Sequence, residues 1–103
     1  MVKEVNWKNL EDSEIEREYS PSSAIGGNYL PFIEEYLRIS NWVAESFNVI
    51  ECVYGPSSTN TLDLILPPNC SEDTPVPLVV FIHGGYWQEL SKRESLFLGK
   101  EIL

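Results

Sequence analysis

The feature that most constrains this chain is the run Leu78–Gln88, LVVFIHGGYWQ. It opens with five consecutive apolar residues, three of them β-branched, and passes directly into Gly84 and Gly85. A short apolar run that ends in glycine predicts a strand buried on both faces. Paired glycines let the backbone turn sharply and leave its N–H groups uncovered by side chains. A buried strand that ends in such donors predicts a place to stabilise a developing negative charge.

The first half of the chain has a helical pattern. Ser13 and Glu16 have the spacing of a capping box, which predicts a short helix through Tyr19 that ends before Pro21. A longer amphipathic helix is predicted over about residues 29–46, with Pro31 in its first turn. Its apolar face is expected to pack into the core through Phe32, Tyr36, Ile39 and Val43.

The second half begins with a β-type pattern. Residues 48–54 and 61–66 both favour strands, and the turn-forming residues 55–60 between them predict an antiparallel hairpin. Pro67 and Pro68 close the second strand, and residues 69–77 are expected to form a polar surface loop. After the 78–88 run, Ser91 and Glu94 offer another capping box, and the helix that follows is predicted to continue to Leu103.

Composition narrows the class of protein. Hydrophobic residues make up 43% of the 103, which is typical of a globular chain, and the formal charge is −9. No Lys/Arg cluster could neutralise phosphates, so we expect no nucleic-acid partner. The longest apolar runs are about six residues, against roughly 20 for a membrane span. The polar start of the sequence favours the cytosol, with the nucleus as an alternative.

Cysteine and histidine are too few for metal or disulfide chemistry. The two cysteines, Cys52 and Cys70, cannot form a disulfide framework, and we expect the first in the core and the second as a free surface thiol. With His83 as the only histidine, no metal-ligand spacing occurs. The sequence therefore predicts no bound metal.

The pentapeptide His83-Gly84-Gly85-Tyr86-Trp87 resembles the HGGxW motif of arylformamidases (kynurenine formamidases). The segment Glu18–Ser22, EYSPS, is similar to an N-terminal signature of the same family. The resemblance implies the α/β-hydrolase fold and hydrolysis of N-formyl-L-kynurenine to L-kynurenine and formate, a step of tryptophan catabolism. It also implies a small-molecule formamide or ester substrate, no cofactor and a homodimer.

The same resemblance assigns roles to the motif residues. The main-chain N–H groups of Gly85 and Tyr86 are expected to form part of the oxyanion hole, as the loop after the third strand does in α/β-hydrolases. Trp87 is expected to buttress the loop, and Gly84 to be required for its backbone geometry. We expect His83 to brace the loop through a bond to the backbone rather than to act as a base with Ser57 or Ser58.

The sequence lacks the rest of the catalytic machinery that the resemblance requires. No Gly-x-Ser-x-Gly elbow occurs, and no acid and histidine follow the loop in the order Ser, Asp/Glu, His. None of the triad is therefore present. We expect residues 1–103 to be the N-terminal segment of a single α/β-hydrolase domain, with a helical region over 1–46 and the start of the sheet, the HGGxW loop and the next helix over 47–103.

Three functional hypotheses stay open on the sequence. The first is an arylformamidase represented by its N-terminal part and inactive alone. The second is a fragment of another α/β-hydrolase, an esterase or lipase with a similar loop, although Trp87 and the EYSPS segment favour the first. The third is a non-catalytic short isoform that acts by association. An apolar strand with an unpaired edge also predicts marginal stability and self-association.

Overall fold

The computed structural model describes residues 6–103. The chain divides into two compact units, one ending at Pro31 and the other running from Phe32 to Leu103. The described residues form a mixed α/β structure, with several helices and one two-stranded antiparallel sheet. None of the helices in residues 6–103 has the length and apolar content needed to cross a membrane.

The first unit is built from short helical segments. A 3₁₀ turn at Trp7–Asn9 precedes α1 (Asp12–Tyr19) and α2 (Pro21–Ala24). The predicted end of α1 before Pro21 is confirmed, because Pro21 begins the next helix. The predicted capping box at Ser13 and Glu16 is wrong. The helix begins two residues earlier, where the Glu14 carboxylate accepts the Glu11 N–H at 3.0 Å.

Helix α3 (Leu30–Ser46) confirms the long amphipathic helix to within a residue. Its most buried residues are Val43, with no exposed surface, and Ser40, which is 1% exposed. Phe32, which was expected on the buried face, is half exposed because the covered stripe runs through Ser40 and Val43 instead. The Ser40 hydroxyl has no hydrogen-bond partner among the described residues.

The predicted hairpin is confirmed. Strands β1 (Asn48–Val53) and β2 (Thr61–Leu66) pair antiparallel, from Asn48 opposite Leu66 to Val53 opposite Thr61. Asn60 closes the turn between them. Its carbonyl oxygen accepts the Tyr54 N–H at 2.9 Å, and its side-chain oxygen accepts the Ser57 N–H at 3.0 Å.

The predicted buried strand at 78–82 is wrong. The segment belongs to no strand or helix, and its side chains are exposed, Val80 by 74% and Ile82 by 85%. The physical reason is the missing partner. A strand requires a hydrogen-bonded neighbour, and β1 and β2, the two strands of the described chain, pair with each other. The predicted tendency to self-associate stays a prediction.

The predicted continuous helix after Ser91 is also wrong. The segment forms a 3₁₀ turn at Lys92–Glu94, a second at Leu96–Leu98, and then α4 (Gly99–Ile102). The capping box of Ser91 and Glu94 is confirmed. Ser95 separates the two 3₁₀ turns, and its hydroxyl donates to the Ser91 carbonyl oxygen at 2.8 Å.

The core of the second unit lies where α3 meets this C-terminal segment. The rings of Tyr36 and Phe97 stack with centroids 4.7 Å apart, and Phe81 meets Phe97 edge to face at 6.1 Å. A Cβ added at Gly99 would lie 3.0 Å from Val43 Cγ1 and 3.1 Å from Ile65 Cδ1. Gly99 therefore allows α4 to approach both α3 and β2 closely.

Candidate functional site: the loop at residues 83–90

The candidate loop follows the apolar segment 78–82 and is closed by its own backbone. The carbonyl oxygen of Gly85 accepts the N–H of Gln88 at 3.0 Å and that of Glu89 at 2.9 Å. These two bonds fold residues 85–89 into a tight turn. The motif residues 83–87 are thereby brought together at one place on the surface.

The backbone of this turn is strained. Gly85 has φ 113°, and Tyr86 and Trp87 follow with φ 52° and 59°. Leu90 also has a positive φ, 65°. Non-glycine residues rarely adopt such angles, and clusters of them occur at functional sites, where the surrounding structure maintains the strain.

The two glycines of the motif have different environments. A Cβ added at Gly85 would lie 1.9 Å from the carbonyl oxygen of Glu89, so only glycine fits there. At Gly84 a Cβ would have no neighbour within 4 Å, and the φ of this residue lies outside the left-handed region. From the sequence we expected the backbone to require glycine at position 84. In the structure, the position that requires glycine is 85.

The turn leaves the two expected donors free. Among the described residues, neither the N–H of Gly85 nor that of Tyr86 donates a hydrogen bond, whereas the N–H groups of Gln88 and Glu89 are both used. Unpaired backbone donors at the start of a closed turn can bind an anionic oxygen without reorganising. The arrangement is therefore chemically suited to accept a negative charge.

His83 is bonded to the backbone of the loop. Its Nδ1 lies 2.7 Å from the carbonyl oxygen of Gly84. A carbonyl oxygen can only accept, so Nδ1 carries the proton and donates. Ser57 instead bonds within its own turn, to the Thr59 hydroxyl at 3.0 Å. No serine of the described chain is hydrogen-bonded to His83.

The aromatic residues of the loop face solvent. Tyr86 is 80% exposed and Trp87 is 96% exposed, and their rings meet edge to face with centroids 5.6 Å apart. The expectation that Trp87 buttresses the loop does not hold in this structure, because an indole with that exposure buries almost no surface. Two surface depressions of about 300 and 230 Å³ lie elsewhere in the second unit, and neither is lined by residues 83–90.

Within residues 6–103, no three His, Cys, Asp or Glu side chains lie close enough together to hold a metal ion. Cys52 is half-buried in β1 and Cys70 is exposed, and both are free thiols. The five motif residues are consecutive in the loop. The two cysteines lie outside it, one in β1 and one in the segment that follows β2.

One residue near the loop was missed by sequence reasoning. The ammonium of Lys92, two residues after Leu90, forms ion pairs with Glu51 of β1 and Asp63 of β2. The available signal was the strand pattern of β2, TLDLIL, in which Asp63 takes an alternate position between Leu62 and Leu64. Because Asp is rarely buried without a partner, a half-buried position for Asp63 calls for a nearby cation.

Comparison with known proteins identifies relatives of the chain. It is 33% identical over 105 residues to a kynurenine formamidase of Salmo salar, an alignment that covers 94% of this chain and 34% of that protein. It is 36% identical over 104 residues to a kynurenine formamidase of Danio rerio, covering 95% of this chain and 35% of that protein. The chain is a relative of kynurenine formamidases. The predicted resemblance to kynurenine formamidases is thereby confirmed at the level of overall sequence.

The chain spans about a third of the length of these curated relatives. No family model matches it, and no solved structure matches it. What links the chain to these relatives is therefore sequence similarity over that third of their length.

Proposed function

We propose that the chain contributes the oxyanion-binding loop of a kynurenine formamidase, which hydrolyses N-formyl-L-kynurenine to L-kynurenine and formate. Attack on the formamide carbonyl places a negative charge on its oxygen, and backbone N–H donors fixed in advance stabilise that charge. Gly85 and Tyr86 supply these donors. The observation that carries the proposal is that both N–H groups are unpaired at the start of a turn that the amides of Gln88 and Glu89 close.

The proposal includes an α/β-hydrolase fold, in which residues 78–82 are a strand of a larger sheet. The apolar sequence of this segment supports that assignment, since its exposed side chains need a covering layer in a stable fold. The unpaired backbone of the segment supports it as well. Among the described residues, no backbone hydrogen bond involves residues 78–82.

We further propose that the 103-residue chain alone does not hydrolyse its substrate. Its one histidine is bonded to the Gly84 carbonyl oxygen, and it contains no Gly-x-Ser-x-Gly elbow. The purified chain, assayed with N-formyl-L-kynurenine, is expected to match a heat-denatured control. Turnover that co-purifies with the intact 103-residue species would contradict this part of the proposal.

The role of the loop is tested in a chimera. This chain replaces the aligned residues of the Danio rerio kynurenine formamidase, and hydrolysis of N-formyl-L-kynurenine is measured. We expect the chimera to be active. Gly85→Val should lower kcat by about 10²–10³, or about 2.7–4 kcal/mol, because the backbone that aims the donors cannot keep its path. KM should change little, since the interaction is strongest in the transition state.

Two further variants separate a donor loop from a catalytic base. Tyr86→Phe keeps the backbone amide and should leave kcat largely intact, which makes it the matched control. His83→Asn should have an intermediate effect if the imidazole only braces the loop. A loss at His83 as severe as the loss of a nucleophile would instead make His83 the base, and an unchanged Gly85→Val would exclude the donor role.

A further inference from the structure

The charged cluster of Lys92, Glu51 and Asp63 has no role in the function proposed above. The Lys92 Nζ lies 2.6 Å from Asp63 Oδ1 and also contacts the Glu51 carboxylate. These partners are 29 and 41 residues away in sequence. The other ion pairs of the described chain, Arg17 with Glu18 and Arg38 with Glu35, join near neighbours. Lys92 therefore makes the long-range ionic contacts of the second unit.

The hairpin by itself presents an electrostatic conflict at this point. Glu51 and Asp63 are directly opposite each other in the register of β1 and β2, and like charges in that position destabilise a sheet. The Asp63 side chain is only 14% exposed, so water screens it poorly. The ammonium of Lys92 compensates both carboxylates. Asp63 first and Glu51 second raise the pKa of Lys92 above its ordinary value, so the lysine stays charged.

The position of Lys92 along the chain links this cluster to the loop. Leu90, the last residue of the loop with a positive φ, is followed at once by Ser91, which caps the 3₁₀ turn that contains Lys92. Two hydrogen bonds stabilise the cap, because the Glu94 carboxylate accepts both the N–H and the hydroxyl of Ser91. A fixed Lys92 consequently fixes the end of the loop.

We propose that Lys92 is a positioning residue, which anchors the C-terminal end of the strained 85–90 loop to the hairpin through Glu51 and Asp63. Positive φ angles at Tyr86, Trp87 and Leu90 raise the conformational free energy of the loop, and contacts outside the loop must offset it. Lys92 supplies one such contact. The importance of this anchor for hydrolysis rests on the proposed function, whereas the anchor itself is a property of the 103-residue chain.

The anchor is tested by amide hydrogen exchange of the full 103-residue chain, followed on peptides covering residues 84–90 and 48–66. Lys92→Met is expected to speed exchange of the Gln88 and Glu89 amides, the hydrogen-bonded amides of the 84–90 peptide, by about two- to fivefold, the size of a partly exposed ion pair. Lys92→Arg should restore most of the protection, because the cation is kept. Arg93→Met is the matched control, since Arg93 has the same charge in the same turn and no ion pair among the described residues. Equal effects of Arg93→Met and Lys92→Met would overturn the proposal.

A triple variant separates anchoring from relief of charge repulsion in the hairpin. Glu51→Gln, Asp63→Asn and Lys92→Met together remove all three charges, so the hairpin carries no unpaired carboxylate and should stay folded even if Lys92→Met alone does not. We expect normal exchange in the 48–66 peptide and fast exchange in the 84–90 peptide. If both peptides return to the unmodified rates, Lys92 only shields the hairpin and the proposal is wrong. Because no hydrolysis is measured, this outcome is independent of the proposed function.

Discussion

The hairpin 48–66 and the segment 78–90 are both rich in β-type residues, yet only the hairpin forms a sheet. In the hairpin, six residues of β1 meet six residues of β2 across a short turn that Asn60 closes. The segment 78–82 has a more apolar sequence but no neighbouring strand in the described chain. Apolar character alone therefore does not form a strand, because a strand also needs a neighbour with which its backbone can exchange hydrogen bonds.

The largest effect is expected from substituting two valines, one at the packed end of α3 and one in the unpaired segment 78–82, and comparing the stability of the two variants. Val43 is fully buried, so Val43→Ala should lower the free energy of unfolding by about 2–3 kcal/mol through lost burial and a residual cavity. Val80 is 74% exposed, and Val80→Ala should change the free energy of unfolding by about 0.5 kcal/mol or less. Urea unfolding of both variants measures the difference. Equal losses would show that the 78–82 segment is packed in solution.

The next effect compares the two glycines of the loop. Gly85→Ala places a Cβ against the Glu89 carbonyl oxygen, and φ 113° is itself unfavourable for alanine. The substitution should therefore destabilise the turn by about 2 kcal/mol. The Gln88 and Glu89 amides should lose their protection against hydrogen exchange. Gly84→Ala meets open space and is the control. Protected amides in Gly85→Ala would mean that the turn has another conformation.

A smaller effect is expected at the turn of the hairpin. Asn60→Ala removes the side-chain acceptor of the Ser57 N–H and should cost about 1 kcal/mol. The backbone bond between the Asn60 carbonyl oxygen and Tyr54 should survive, so the register of β1 and β2 is retained. Cross-strand nuclear Overhauser effects between Glu51 and Asp63 check the register. Loss of these signals would show that the side chain of Asn60 fixes the pairing.

The smallest effect concerns pH and the cap after the loop. The hydroxyl of Ser91 and backbone N–H groups lower the pKa of Glu94 below its ordinary value of 4.5. A carboxyl group whose pKa is depressed by folding stabilises the folded state above its ordinary pKa, and this contribution is lost as the pH falls through the depressed value. Ser91→Ala should reduce the loss of stability below pH 4.5, by less than about 1 kcal/mol.

Ser95→Ala serves as the control for this pH effect. It also removes a serine hydroxyl from the same segment, but its partner is the Ser91 carbonyl oxygen, which does not titrate. The acid-side slope of stability against pH should therefore match that of the unmodified chain. A flattened slope in Ser95→Ala would assign the acid dependence to another group.

The sequence predicts those parts of the structure that depend on local interactions. The boundaries of α3 follow from its periodicity and from Pro31, and the hairpin follows from two β-type runs around a turn-rich segment. The strand predicted at 78–82 fails because strand formation also requires a neighbour, which an apolar pattern cannot supply. The helix predicted after Ser91 fails because the cap begins a 3₁₀ turn, and the side chain of Ser95 then bonds back to Ser91.

The candidate site was predictable in composition but not in geometry. Its five motif residues are identified by sequence, and the bond of His83 to the backbone has the form that was expected. The unequal steric roles of Gly84 and Gly85 depend on the path of the chain to Glu89, which no local pattern encodes. Lys92 was missed for a similar reason, since its partners are contributed by both strands of the hairpin.

The contact between Gly85 and the Glu89 carbonyl oxygen has an evolutionary consequence. Every single-nucleotide missense change of a glycine codon introduces a residue with a Cβ, so a lineage that needs this turn has no neutral neighbour at position 85. The adjacent Gly84 has room for alanine and can drift without distorting the backbone. We therefore expect two identical letters side by side in the sequence to tolerate substitution differently, with the shape of the main chain setting the limit at the second.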